Sequence, residues 1–163
     1  MSYSDFFNFE VIKSSGSSNA RAGVFATPHG IIERFENKSY KIIGLKMINV
    51  TPEIAAKHYE EHVGKPFYEK LIRFITMGPI IAMVVEGKNA IKGVRHLVGK
   101  TNPDEADDGS IRADFSSFSA TNLVHASDSP ESAKREIDLY FVESELCPNY
   151  KNMFELVLDE LGE

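Results

Sequence analysis

Between Arg95 and Glu136 the chain gathers its densest set of chemically capable side chains: Arg95, Thr101, Asn102, Arg112, Asp114, Asn122, His125, Ser127, Asp128 and Glu136. An imidazole, two guanidinium groups, hydroxyls and carboxylates in one stretch are the ingredients of a catalytic site. Each also has an ordinary structural reading. His125 follows an apolar pair, as a hydrogen-bonded structural histidine does; Arg95 adjoins an apolar stripe along which its stem can lie; and Asp128 before Ser129-Pro130 suits a helix cap. No one of these residues is diagnostic alone.

Two other patterns carry less. GVRHLVGKT (93–101) resembles a phosphate-cradling loop, but five residues separate Gly93 from Gly99 where that motif needs four, and the segment closes a helix instead of opening one. His58 and His62 stand four apart on an expected helix, yet Tyr59 occupies the place where a zinc-protease motif needs glutamate. Surface histidines are the better reading of that pair.

The elements that must position these groups are legible from periodicity. FFNFEVIK (6–13) alternates as a first strand, and the Ser-, Gly- and Ala-rich segment after it reads as a loop. Ile31, Ile32 and Phe35 have helical spacing, and YKIIGLKMINV is apolar enough for a central strand. Thr51-Pro52-Glu53 starts a helix to about His62; Phe67, Leu71, Ile72 and Ile75 stripe another that stops at Gly78-Pro79. PIIAMVVEG reads as a strand buried on both faces, and Ile91, Val94 and Val98 mark the helix that follows. Residues 100–110 read as loop, NLVHAS as a short strand, Ser129-Pro130-Glu131 as the start of a helix through about Tyr140, and the tail from Asn152 as helical. This order predicts an α+β sandwich, with helices on one face of a mainly antiparallel sheet.

A length of 163 residues predicts a single domain, 1–163. The formal net charge of −6 argues against a general nucleic-acid or anionic-membrane binder, so any anion must be held by local basic residues. One cysteine, Cys147, no secretory start and no apolar run of spanning length predict a cytoplasmic protein.

TNLVHASDSPESAKREI resembles the signature of nucleoside diphosphate kinases, Asn-x-x-His-Gly-Ser-Asp followed by Ser-Ala and Glu-Ile steps. The register continues upstream: GSIRADF, VRHLVGKTNP, FITMGPIIAMVVEG and HYEEHVGKPFYEKL resemble further segments of that family, covering roughly residues 30 to 150. The resemblance implies a ferredoxin-like fold and transfer of a terminal phosphoryl group between nucleotides through a phosphate on His125. It implies Glu136 as the carboxylate that orients the imidazole, with Ser127 near the same nucleophile. It further implies that Arg95, Thr101, Arg112 and Tyr59 hold phosphates, that Asn122 touches the sugar hydroxyl, and that Phe67 stacks on the base. Mg2+ on the nucleotide phosphates, and assembly as a hexamer or tetramer, are implied in the same way.

Three departures follow from that alignment. The family's first strand ends in Lys-Pro-Asp-Gly, with a lysine reaching the transferred phosphate. Here it ends in Ile12-Lys13-Ser14-Ser15-Gly16, so Lys13 takes that place only if the loop before His29 carries an insertion. Loss of such a contact would slow transfer by orders of magnitude and leave a catalytically weakened nucleotide-binding or scaffold protein as the alternative reading. Ala126 and Ala113 replace glycines, at a cost only where the backbone needs a positive φ or a tight approach. A regulatory module of the same fold, binding no nucleotide, is the third reading.

Overall fold

In the computed structural model, residues 7–13, 28–116, 123–151 and 153–161 are described. The alternating first segment forms β1 (Phe7–Lys13), and the Ile31/Ile32/Phe35 pattern forms α1 (Pro28–Glu36). They are followed by β2 (Lys41–Ile48), α2 (Pro52–His58), a short 3-10 turn (Glu60–His62), α3 (Tyr68–Thr76), β3 (Ile80–Glu86) and α4 (Ala90–Val98). After these come α5 (Ile111–Phe115), β4 (Val124–Ala126), α6 (Pro130–Tyr140) and α7 (Met153–Leu161).

The helix starts are chemical. Thr51 Oγ1 accepts from the Ile54 amide at 3.3 Å with proline at the first position of α2, and Ser129 Oγ accepts from Ser132 N at 3.1 Å in front of Pro130. Ser129, not Asp128, is therefore the cap of α6; Asp128 instead accepts from the Ser132 hydroxyl at 2.7 Å. The short helix α5 lies where the sequence shows only the GSIRADF segment, and it is opened by Ser110, whose Oγ accepts from Ala113 N.

All pairings of the four-stranded sheet are antiparallel among the described residues, in the order β2-β3-β1-β4. This bears out the mainly antiparallel α+β expectation and corrects two of its details. First, β2 is an edge strand, with Leu45 and Met47 half or more exposed. Its apolar run reads as central because one face is core and the other carries isolated apolar side chains. Second, helices cover both faces. Successive β3 residues point to opposite sides, and they enter different cores: Ala82 and Val84 pack with Ala55 of α2, Ile75 of α3 and Ile137 and Tyr140 of α6, while Met83 and Val85 pack with Ile31 and Phe35 of α1, Val94 and Val98 of α4 and Ile111 of α5. Each fully buried Val, Ile or Met side chain among these contributes about 1.5–3 kcal/mol, and burial on both sides is why β3 reads as one continuous apolar run.

Candidate active site

The short strand β4 is held to β1 with His125 opposite Val11, so one face of its three residues packs into the core while His125 looks into a cleft. Helix α6 begins three residues after β4 and returns along the sheet. Ala133, Glu136, Ile137 and Tyr140 share its buried face at the i, i+3, i+4, i+7 spacing. That periodicity delivers an ionisable side chain to the interior: Glu136 is 3% exposed.

Glu136 is satisfied on both oxygens. Oε1 lies 2.9 Å from His125 Nε2, and Oε2 accepts from the Ser127 hydroxyl at 2.5 Å. Burial pushes its pKa up, but the hydrogen bond from His125, the fields of His125 and His58, and the Ser127 hydroxyl together hold it below the ordinary carboxylate value. It is an anion at neutral pH, and an anion at Nε2 places the ring proton there. Ser127, 1% exposed, stands behind His125 as a support for the carboxylate.

His125 forms part of the wall of a cavity of about 460 Å3 that Tyr59, Phe67, Arg95, Thr101, Arg112 and Glu136 also line. Six elements and their loops thus converge on one cleft. Arg95 projects from the last turn of α4 and Thr101 from the loop beyond it, both exposed. Phe67 precedes α3 and is 47% exposed, an aromatic face left open at the cleft. Tyr59 closes α2; burial, and after it the charge of Glu136, raise its hydroxyl pKa to about 12, so it remains a hydrogen-bond donor.

Arg112 is mostly enclosed. Its Nη1 donates to the Gly99 carbonyl at 2.6 Å and its Nη2 to the Val124 carbonyl at 2.8 Å, tying the end of α4 to β4. Gly99 has φ +84°, and a Cβ there would stand 2.5 Å from Ser110 Oγ, so both the backbone and the close approach require glycine. The resemblance to a phosphate-cradling loop ends here, because Gly99 caps a helix that is closing.

Of the remaining expected residues, Lys13 ends β1 opposite Ile80, and Asn122 lies outside the described residues, as does the loop before Pro28. The two alanines that replace glycines carry no backbone strain: among the described residues only Ser39 and Asn89 combine a side chain with positive φ.

The expectation that His58 is a surface histidine is overturned. It is 3% exposed, with its ring centroid 4.6 Å from that of His125 at an interplanar angle of 71°. Burial, reinforced by the neighbouring His125, pushes its pKa down to about 3. Its partner in the spacing, His62, is part-exposed and lies 3.0 Å from Lys65 Nζ. Ala55 and His58, three apart, form the buried side of α2, which was the available signal. Glu61, Lys70, Asp128 and Arg135 also line the cleft, none of them marked by spacing except Asp128.

Comparison with known proteins places this geometry among relatives. The family model described as nucleoside diphosphate kinase matches residues 24–146. A nucleoside diphosphate kinase of Methanocaldococcus jannaschii is 59% identical over 116 residues, 71% of this chain and 83% of the relative. One from Moorella thermoacetica is 49% identical over 138 residues, 85% of this chain and 95% of the relative. Among solved structures, a halophilic nucleoside diphosphate kinase from Halobacterium salinarum in complex with CDP superposes with a TM-score of 0.83 at 35% identity, covering 94% of this chain and 98% of that one. A nucleoside diphosphate kinase family protein from Babesia bovis superposes with a TM-score of 0.82 at 36% identity, covering 94% and 99%.

Proposed function

The chain belongs to the nucleoside diphosphate kinase family, and from that premise we propose that its transfer of a terminal phosphoryl group from a nucleoside triphosphate to a nucleoside diphosphate runs through His125. The observation that carries this reading is the array Ser127–Glu136–His125 on the wall of a cleft that Arg95 and Arg112 also line.

With Glu136 at Nε2, the attacking nitrogen is read as Nδ1. The Nδ1–phosphorus bond forms as the bond from phosphorus to the bridging oxygen breaks, and the electron pair leaves with the nucleoside diphosphate. The proton on Nε2 stays in place, and the positive charge growing on the ring is offset by the Glu136 carboxylate. In the second half a terminal oxygen of the acceptor diphosphate attacks the same phosphorus and returns the electron pair to Nδ1.

Little covalent work falls to the rest of the protein, since phosphoryl transfer depends on positioning and on offsetting charge over the oxygens. Arg95, Arg112, Thr101 and the Tyr59 hydroxyl serve that purpose, and Lys13 is read as joining them. Phe67 offers its face to the base, a contact that tolerates any base. Asn122 is read as the sugar contact.

Magnesium takes oxygen donors and keeps several waters. The donor atoms of His58, His125 and Glu136 lie within 4.8 Å of one another, but two are imidazole nitrogens and both Glu136 oxygens are committed. That group does not suit Mg2+. The cleft suits instead an ion carried by the nucleotide phosphates, where it neutralises their oxygens. Asp128, held ionised chiefly by the Ser132 hydroxyl, supplies a carboxylate on the same wall.

The chain is read as one domain that assembles as a hexamer or tetramer, for which the exposed Leu45 and Met47 of the edge strand β2, beyond the stretch where Cys147 N donates to the Ile43 carbonyl, offer a contact surface. No helix among the described residues is long and apolar enough to cross a membrane, and a cytoplasmic setting belongs to the same reading.

Labelled ATP mixed with the protein should give an acid-labile, base-stable phosphoenzyme that is absent in His125→Ala. Unlabelled wild-type protein would refute the assignment.

A further inference from the structure

The hydrogen bond to Glu136 acts on the His125 ring at Nε2. In-line attack also requires the plane of that ring to be held, because tilting it carries the attacking nitrogen off the line of the scissile bond. A buried aromatic ring stands against it.

We infer that His58 is a positioning residue, an aromatic stop packed edge-to-face on His125 that fixes the plane of its ring. The two centroids are 4.6 Å apart at 71°, within the range of a T-shaped aromatic contact. His58 is itself immobilised: it is 3% exposed, its ring lies 4.5 Å from Tyr59 at 77° and 5.6 Å from Tyr140 at 80°. Tyr59 closes α2 and Tyr140 ends α6, the helix that carries Glu136. The stop and the orienting carboxylate are therefore seated against the same helix, and a displacement of one displaces both.

The charge state of His58 suits this role. Its pKa, pushed down to about 3, keeps the ring neutral over the working range of the enzyme, so it does not draw Glu136 away from His125. A packed wall, not an ion, is what stands behind the nucleophile.

This inference rests on His125 as the phosphate acceptor, and its test separates the two. His58→Ala removes the wall, His58→Leu fills the space without a flat ring, and His58→Phe restores an aromatic of similar shape. Each variant should be measured for enzyme phosphorylation by ATP in rapid-mixing experiments, for ADP affinity, and for the 15N signals of the His125 ring without nucleotide. Expected are a slowing of about tenfold to a hundredfold in His58→Ala and His58→Leu at near-unchanged ADP affinity, recovery in His58→Phe, and a His125 ring signal that broadens or shows both tautomers in the two slow variants only. If His58→Ala does not fold, His58→Leu against His58→Phe makes the same comparison. Wild-type rates and ring signals in His58→Leu, or a His58→Phe as slow as His58→Leu, would overturn the inference. A wild-type protein without phosphate on His125 would instead overturn the assignment of the nucleophile, while the ring signals would still decide the packing role.

Discussion

The guanidinium of Arg112 donates at 2.8 Å to the carbonyl of Val124, the residue directly before His125. A side chain proposed to hold substrate phosphate thus also holds the strand that presents His125, and its other arm holds Gly99 at the end of α4. Arg112→Lys keeps the charge but replaces a planar fork by a point charge that cannot span both carbonyls. Its melting temperature should fall by an amount equivalent to about 1–3 kcal/mol, and both kcat and nucleotide affinity should drop. Calorimetric titration with ADP and a thermal melt would check this; unchanged stability would contradict the strap.

Gly99 and Gly109 have nearly the same backbone angle, φ +84° and +82°, and different surroundings. A Cβ on Gly99 would meet Ser110 Oγ at 2.5 Å and Ser110 Cβ at 2.7 Å, whereas one on Gly109 would meet nothing within 4 Å. Gly109→Ala should cost about 1 kcal/mol from backbone strain alone. Gly99→Ala should cost at least about 2 kcal/mol, as steric overlap is added to that strain, and should reduce turnover by moving the Arg112 anchor. Urea unfolding of the two variants side by side discriminates.

Glu136→Gln preserves the shape of the buried side chain and removes the charge proposed to offset the growing imidazolium. The amide also has a donor that can face Nε2 and favour the wrong tautomer. Phosphorylation of the enzyme should slow by about a hundredfold or more, with little change in ADP affinity because Glu136 is seated behind the ring. Single-turnover measurements with labelled ATP would show it.

Acid should unfold the protein through two groups that are easiest to protonate in the open chain. His58 has its pKa lowered from 6.5 to about 3, so between these values the unfolded chain binds the extra proton and stability is lost as pH falls; above 6.5 this contribution is complete and flat. The loss is on the order of 5 kcal/mol across that window. Glu136, whose folded pKa is also lowered, contributes fully above the ordinary carboxylate value, and its share is lost as pH falls through the folded one. His58→Phe should show a shallower decline from pH 6.5 to 4.5 in urea midpoints. An identical slope in both proteins would mean that His58 is not buried as a neutral ring.

Phe67 is half-exposed and touches His62 and Lys65, with centroid distances of 5.6 Å and 5.8 Å. Phe67→Ala should therefore leave the melting temperature almost unchanged. Nucleotide affinity should weaken by about 1–3 kcal/mol, the worth of one base–aromatic stack, and by a similar factor for adenine, guanine and cytosine nucleotides. Selective loss for one base would point to edge recognition instead.

The order of strands and helices was legible along the chain because helical and strand periods are local properties. Thr51-Pro52 and Ser129-Pro130 each declare a helix through contacts made within a few residues, and the uninterrupted apolar run of β3 declares a strand by its pattern. His125, Glu136, Arg95, Thr101, Arg112, Tyr59 and Phe67 are likewise marked by the motifs they stand in, and the fold brings these seven to one cleft. What the chain alone left open were choices between faces and partners. Whether β2 lies at the centre or the edge depends on which strands pair with it, and α5 is too short for periodicity to reveal. His58 read as a surface residue because a spacing of four says only that two side chains share a side of a helix. Which side turns inward is settled by the surfaces of β4 and α6, distant in sequence, that close upon it, and those non-local contacts make a neutral, buried ring of it.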